Sequence, residues 1–251
     1  MLQQRAGTAQ IEIDETRGGR LRSVRVDGFE LLVSPAESDF TWGCFPMVPF
    51  AGRVRGGQFD FGTHAYALPQ NLGSHAIHGY GFCSPWVALD NERLILPLAE
   101  PWPFGGEARQ RISLFPDRLE LVLELHAGNV PMPGQVGWHP WFRKPNDFRF
   151  GAEAMYQRDD QGIPTGSLLR PPQRGPWDDC FTELTSAPTM TWSEGITLRI
   201  EHDCDHLVVY DEPTHATCVE PQTGPPNGFN NAPYVLEPGR PLIAHSCWRW
   251  S

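Results

Sequence analysis

Lysine is nearly missing from this chain: of its 20 basic residues only Lys144 is one, and the rest are arginine. Schiff-base chemistry therefore has a single candidate amine, beside Pro145 in an expected loop. Basic residues as a class are outnumbered by 30 acidic ones, so the net charge is −10 and the pI near 5.3. No concentrated basic footprint for nucleic acid exists. No apolar run approaches the roughly 20 residues of a membrane helix. The segment Met1–Gly7 lacks the apolar core of a secretory signal. Cys44, Cys83, Cys180, Cys204, Cys218 and Cys247 stand singly, without a Cys-x-x-Cys pair. They are expected as reduced thiols, and the cytoplasm as the compartment. Also missing are Gly-x-Gly-x-x-Gly, Gly-x-x-x-x-Gly-Lys, Gly-x-Ser-x-Gly and His-Glu-x-x-His, which weakens dinucleotide, nucleotide, serine-hydrolase and zincin readings.

Glycine and proline are abundant, at 25 each in 251 residues, well above the average share of about 12%. Both break helices and punctuate turns, so a coiled coil or helical bundle is excluded. With 40% hydrophobic and 11% aromatic residues the chain can still bury a full core. Period-two alternation marks strands at Ile11–Ile13, Leu21–Val26, Leu119–Leu125, Leu198–Glu201 and Leu207–Tyr210. Turn signals at Arg17–Arg20, Gly105-Gly106, Pro116-Asp117 and Pro131–Gly134 separate such runs. The expectation is an all-β chain, an antiparallel β-sandwich whose long loops line an open cleft, in a single domain spanning 1–251. The Pro/Gly-rich stretch Gly162–Pro176 is expected as an insert or long loop.

Five islands combine polar groups that are costly to bury with aromatics. They are Phe45–Gly57 with Arg53, Ser74–Phe82 with His78, Gly137–Phe142 with His139, Cys218–Asn227 with Glu220, and Trp177–Phe181 with Asp178 and Asp179. Flat aromatics suit the C–H faces of a sugar, and forked polar groups its hydroxyls. His139 and Glu220 form an acid–base pair suited to near-neutral pH. Each also has an ordinary structural reading: Arg53 as a surface arginine, His78 as a satisfied core histidine, His139 bonding a turn, Glu220 capping a loop, and the two aspartates in a solvated turn. His202-Asp-Cys-Asp-His206 and His75-x-x-His78 carry metal-ligand residue types. The first is expected as a solvated turn, and no metal or cofactor is expected.

The order of these motifs, from Gly18-Gly19 through the Arg53 and His78 islands, Gly-x-His-Pro-x-Phe and Glu-Pro-x-x-x-Pro-Asn, to Leu236–Gly239, resembles the aldose 1-epimerase (galactose mutarotase-like) family. The resemblance implies a supersandwich of antiparallel strands with a small-molecule sugar in an open cleft, in a monomer or homodimer. It implies Glu220 as general base and His139 as general acid. Arg53, His78 and Asp178 (chosen over Asp179 by counting back from Phe181) would hold the sugar oxygens. His78-Gly79-Tyr80 replaces the family's commoner His-Gly-Gly, and Gly52 its usual Asn, differences that bear on the particular sugar. The implied activity interconverts the α and β anomers of a free hexose. A hexose-6-phosphate epimerase and a non-catalytic sugar-binding protein are the alternatives. For the chemistry His139 is expected charged, helped by a carboxylate such as Asp178, and Glu220 ionised, helped by Arg53 or N–H donors. The pair is expected to face each other across a space one pyranose wide.

Overall fold

Alternating leucines, each at most 2% exposed at 119, 121, 123 and 125, turn one face of the strand Arg118–His126 into the interior. The computed structural model describes residues 1–231 and 233–251. Among them helix is confined to Gly228–Asn231 and the single 3-10 turns Arg55–Gly57 and Gly81–Cys83. Seventeen strands join one curled sheet that folds into two layers. The first layer runs from Arg93–Pro97 through the hairpin Glu107–Phe115 and Arg118–His126, which turns at Pro116-Asp117, to Leu242–Trp250 and Thr197–His202. The second runs from Leu2–Ala6 through Ala9–Asp14, Arg20–Val26, Cys44–Met47, Gly137–Arg143 and Ala216–Gln222 to His206–Tyr210.

One long strand, Asp178–Thr191, belongs to both layers. Its first residues pair with His206–Tyr210 and its last with Thr197–His202. Asp147–Arg158 follows it, with register shifts between Arg149 and Ala152 that let the pair bend from one layer to the other. The main core packs Ile11, Ile13 and Val24 of the second layer among Leu119, Leu121 and Leu123 of the first. This is the expected antiparallel sandwich.

Two expectations change. Within Gly162–Pro176, residues Pro164–Leu169 form a strand on the outer side of Asp147–Arg158 rather than loop throughout. Pro164 can open such a strand because an edge position does not require its missing N–H. Within Pro131–Gly134, Met132–Pro133 pairs with Val235–Leu236. All six cysteines are unpaired, as expected, and among the described residues no helix is long and apolar enough to cross a membrane.

Candidate active site

The strands Cys44–Met47, Gly137–Arg143 and Ala216–Gln222 lie side by side with almost every residue buried. Strands covered on both faces need not alternate apolar with polar, and here they carry polar groups inside. Register places Gly137 across from Gln222 and Trp141 across from Cys218, so His139 falls opposite Glu220. The next pairs, Val208 with Glu220 and Asp178 with Tyr210, extend the same face outward. His139, Trp141, Glu220, Val208, Tyr210 and Asp178 thus present one sheet face to a cavity of about 320 Å³.

The opposite wall comes from two crossed segments. The short strand Arg53–Val54 pairs with Ala76–Ile77, and His78 follows at once with φ 59°. Gly79 has φ 68°, and a Cβ there would lie 2.0 Å from the carbonyl oxygen of Val48, so only glycine lets the chain turn at this point. The amide of His78 donates to the carbonyl of Gly52 at 3.1 Å, and the amide of Gly52 donates to Nδ1 of His78 at 3.3 Å. Asn227 locks the same segment. Its amide donates to the carbonyl of Arg53 at 2.6 Å, and its Oδ1 accepts from the amide of Arg55 at 3.1 Å. All five residues expected at the site, Arg53, His78, His139, Asp178 and Glu220, line this one cavity. Asp179 does not; its Oδ1 takes the Nε of Arg158 at 2.7 Å on the far side of the strand.

His139 and Glu220 are 6% and 3% exposed, and Nε2 of His139 lies 3.2 Å from Oε1 of Glu220. They stand side by side on one wall, not across the cavity from each other. The imidazole is held between Phe45, 4.7 Å away and stacked, and Trp141, 5.6 Å away and nearly parallel, with His78 edge-on at 4.9 Å. Behind Phe45 the buried guanidinium of Arg20 lies 5.0 Å from its ring and donates to the carbonyls of Arg17, Asp39, Trp42 and Phe82.

Burial pulls His139 down to about 3, and the Arg20 charge adds to this. Burial pushes Glu220 well above the carboxylate range; Asp178 adds to the rise and Arg53 opposes it. The expectation of an imidazolium partnered by Asp178 is thereby corrected, while Arg53 acts on Glu220 in the expected direction without outweighing burial. The carboxyl nearest His139 is Glu220 itself, and burial favours the uncharged form of both. Neutral imidazole with carboxylic acid, and imidazolium with carboxylate, are two arrangements of the same proton count. The pair is net neutral either way, with one mobile proton between its members. His78 is also held well below 6.5 by burial, with His139 and Arg53 adding to the shift.

His78, His139 and Glu220 are the one cluster of three ligand types among the described residues, their atoms within 4.8 Å of one another. Nδ1 of His78 accepts from Gly52, which puts its proton on Nε2. The trio is therefore arranged to give and take hydrogen bonds rather than to offer three lone pairs to an ion. The His202–His206 turn is no metal cluster either: Asp203 bonds His245 at 2.6 Å, and Nε2 of His206 meets the hydroxyl of Tyr156 at 3.1 Å. A larger groove, about 780 Å³, runs beside Thr182–Ala187 and Ile200–Asp205, but gathers no comparable convergent set. Nδ1 of His75 accepts from the amide of Gly56.

Sequence reasoning missed Tyr210, Phe40 and Glu212 as lining residues. Strand parity gives a signal for Tyr210, two residues from Val208 on the same face, and none for Phe40, which arrives from an irregular segment.

Residues 4–245 match the aldose 1-epimerase family, and the chain belongs to that family. It is 32% identical over 117 residues to an uncharacterized protein, YphB, of Escherichia coli K12, a match spanning 44% of this chain and 40% of that one. A galactose mutarotase-like protein of Clostridium acetobutylicum superposes with a TM-score of 0.85 at 16% identity, covering 99% of this chain and 94% of that one. The galactose 1-epimerase of Lactobacillus acidophilus does so with a TM-score of 0.82 at 18% identity, over 99% and 92%. At such identities the two structures establish the shared fold.

Proposed function

We propose that this chain, as one domain over residues 1–251, interconverts the α and β anomers of a free aldose without a cofactor. The observation that carries the reading is the 3.2 Å contact between His139 and Glu220 on the wall of a cavity of about 320 Å³. That volume is near the lower end for small-ligand sites and suits one monosaccharide. In the imidazolium–carboxylate arrangement of the pair, Glu220 takes the proton from the C1 hydroxyl while His139 gives one to the ring oxygen. The C1–O5 bond breaks as the C1–O1 bond becomes a carbonyl. The aldehyde turns about C1–C2, and the reverse proton transfers close the ring on its other face. Both oxygens are attached to C1, so an acid and a base standing side by side suit them. Two positioned proton-transfer groups supply about 10²–10⁴-fold each. Arg53, His78 and Asp178 hold the remaining oxygens, and Trp141 and Tyr210 offer apolar surface to the sugar.

Charge favours the free sugar over its phosphate. Among the described residues Arg53 is the one arginine or lysine on the cavity wall, it lies 3.7 Å from Asp178, and Glu212 adds a second acid. Arg55 is paired with Asp159, and Arg143 stacks over Phe29. Polarimetry with glucose, galactose and their 6-phosphates tests the reading. Faster mutarotation of a free aldose supports it, preference for a phosphate points to a sugar-phosphate epimerase, and binding without acceleration points to a non-catalytic module.

A further inference from the structure

We propose that Arg158 is a positioning residue for the sugar: it holds Asp178 by one oxygen so that the other is presented to a substrate hydroxyl. The inference rests on the epimerase reading above. Met155 pairs with Phe181, and beyond that pair the two neighbouring chains run on to Arg158 and Asp178, whose side chains meet. From there one guanidinium serves two neighbouring acids. Its Nη1 lies 3.3 Å from Oδ2 of Asp178, and its Nε lies 2.7 Å from Oδ1 of Asp179. Arg53 approaches from the other side, its Nη2 3.7 Å from the same Oδ2 of Asp178. Both cations take Oδ2, and among the described residues no protein donor bonds Oδ1.

Arg158 itself does not line the sugar cavity; it lines a neighbouring one with Asp179. Whatever it does for the sugar passes through Asp178. Fixing a carboxylate from behind is a task for arginine, whose rigid fork spans two acceptors where lysine offers a point charge. The clamp has an electrostatic side as well. Burial pushes the Asp178 carboxyl up, Arg53 and Arg158 hold it down, and Asp179 and Glu212 push it further up. Glu220, Tyr210 and Cys218 are the other titratable groups facing it. Without Arg158 the carboxylate keeps Arg53 alone, is free to rotate toward it, and takes up a proton at higher pH.

The test is steady-state anomerase kinetics of the full chain against a free aldose from pH 5 to 8, with Arg158→Gln, Arg158→Lys and Asp179→Asn, each checked for folding by circular dichroism. Arg158→Gln is expected to raise KM about tenfold with a much smaller change in kcat, the size of one charge-assisted hydrogen bond. It should also move the acid limb of kcat/KM to higher pH. Arg158→Lys restores the limb but not KM. Asp179→Asn, which removes only the second tooth of the clamp, gives a smaller KM rise in the same direction. An active wild type with unchanged KM and pH profile in Arg158→Gln overturns the inference while leaving the epimerase reading intact, as does a loss confined to kcat. A wild type inactive on every aldose removes both. If Arg158→Gln does not fold, Arg158→Lys and Asp179→Asn decide by the same criteria.

Discussion

Replacing Glu220 with Gln keeps the size of the side chain but deletes the carboxyl that shares a proton with His139, and the loss is readable in stability as well as in rate. Between the ordinary Glu and His values of 4.5 and 6.5, the unfolded chain carries a proton on His78 and on His139 and none on Glu220. Folded, buried His78 is neutral, while the His139–Glu220 pair retains one mobile proton on whichever partner holds it. Folding therefore releases one proton from these three groups. A histidine with a lowered folded value gives stability that is present above pH 6.5 and lost as pH falls below it, so the sign is destabilisation by acid. Each proton is worth about 1.4 kcal/mol per pH unit. In Glu220→Gln the partner acid is gone, His139 stays buried and neutral, and folding releases two. The slope from these groups steepens from about 1.4 to about 2.7 kcal/mol per pH unit. The shifts of His202 and His206, common to both proteins, cancel in the comparison. Denaturant unfolding at half-unit pH steps from 4.5 to 6.5 measures both slopes. Identical slopes would refute the shared-proton account.

Two stability predictions and one of binding accompany it. Gly79→Ala places a Cβ at 2.0 Å from the Val48 carbonyl at a φ of 68°. It should cost at least about 2 kcal/mol and weaken sugar binding by displacing His78, as read by thermal melts and titration. Leu123→Ala empties a fully buried position on the central strand Arg118–His126. Denaturant titration should show a loss of about 2–5 kcal/mol, with KM unchanged in the folded fraction. Because Arg53 is already countered by Asp178, raising salt from 0.05 to 0.5 M should alter KM for a free aldose by less than about twofold; a steep salt dependence would indicate an anionic substrate instead.

Much of the sandwich is legible where one strand face meets solvent, as in Leu119–Leu125, because period-two alternation records that asymmetry directly. The strands that build the site leave no such record. Gly137–Arg143 and Ala216–Gln222 are covered on both sides, so their inward polar residues stand out only as islands and through the family's motif order. That order named five of the lining residues, with Asp178 chosen over Asp179 by counting back from Phe181. It could not foresee the protonation of the pair, since the buried fraction of His139 and the charge of Arg20 behind Phe45 are products of packing. Arg158 was invisible for another reason: its clamp on two acids is a side-chain contact across 20 residues of chain, not a local pattern. The Pro164–Leu169 strand hid behind its proline and glycine, which mark turns when read locally but are tolerated on a sheet edge.

The central claim, that His139 and Glu220 together exchange the protons of a sugar's anomeric centre, is tested most directly by magnetisation-exchange NMR on an equilibrium mixture of aldose anomers. Wild-type protein should broaden or transfer magnetisation between the α and β C1 protons. Glu220→Gln and His139→Asn, each folded and still binding sugar, should lose that exchange by about 10²-fold or more. Wild-type exchange rates in both folded variants would contradict it.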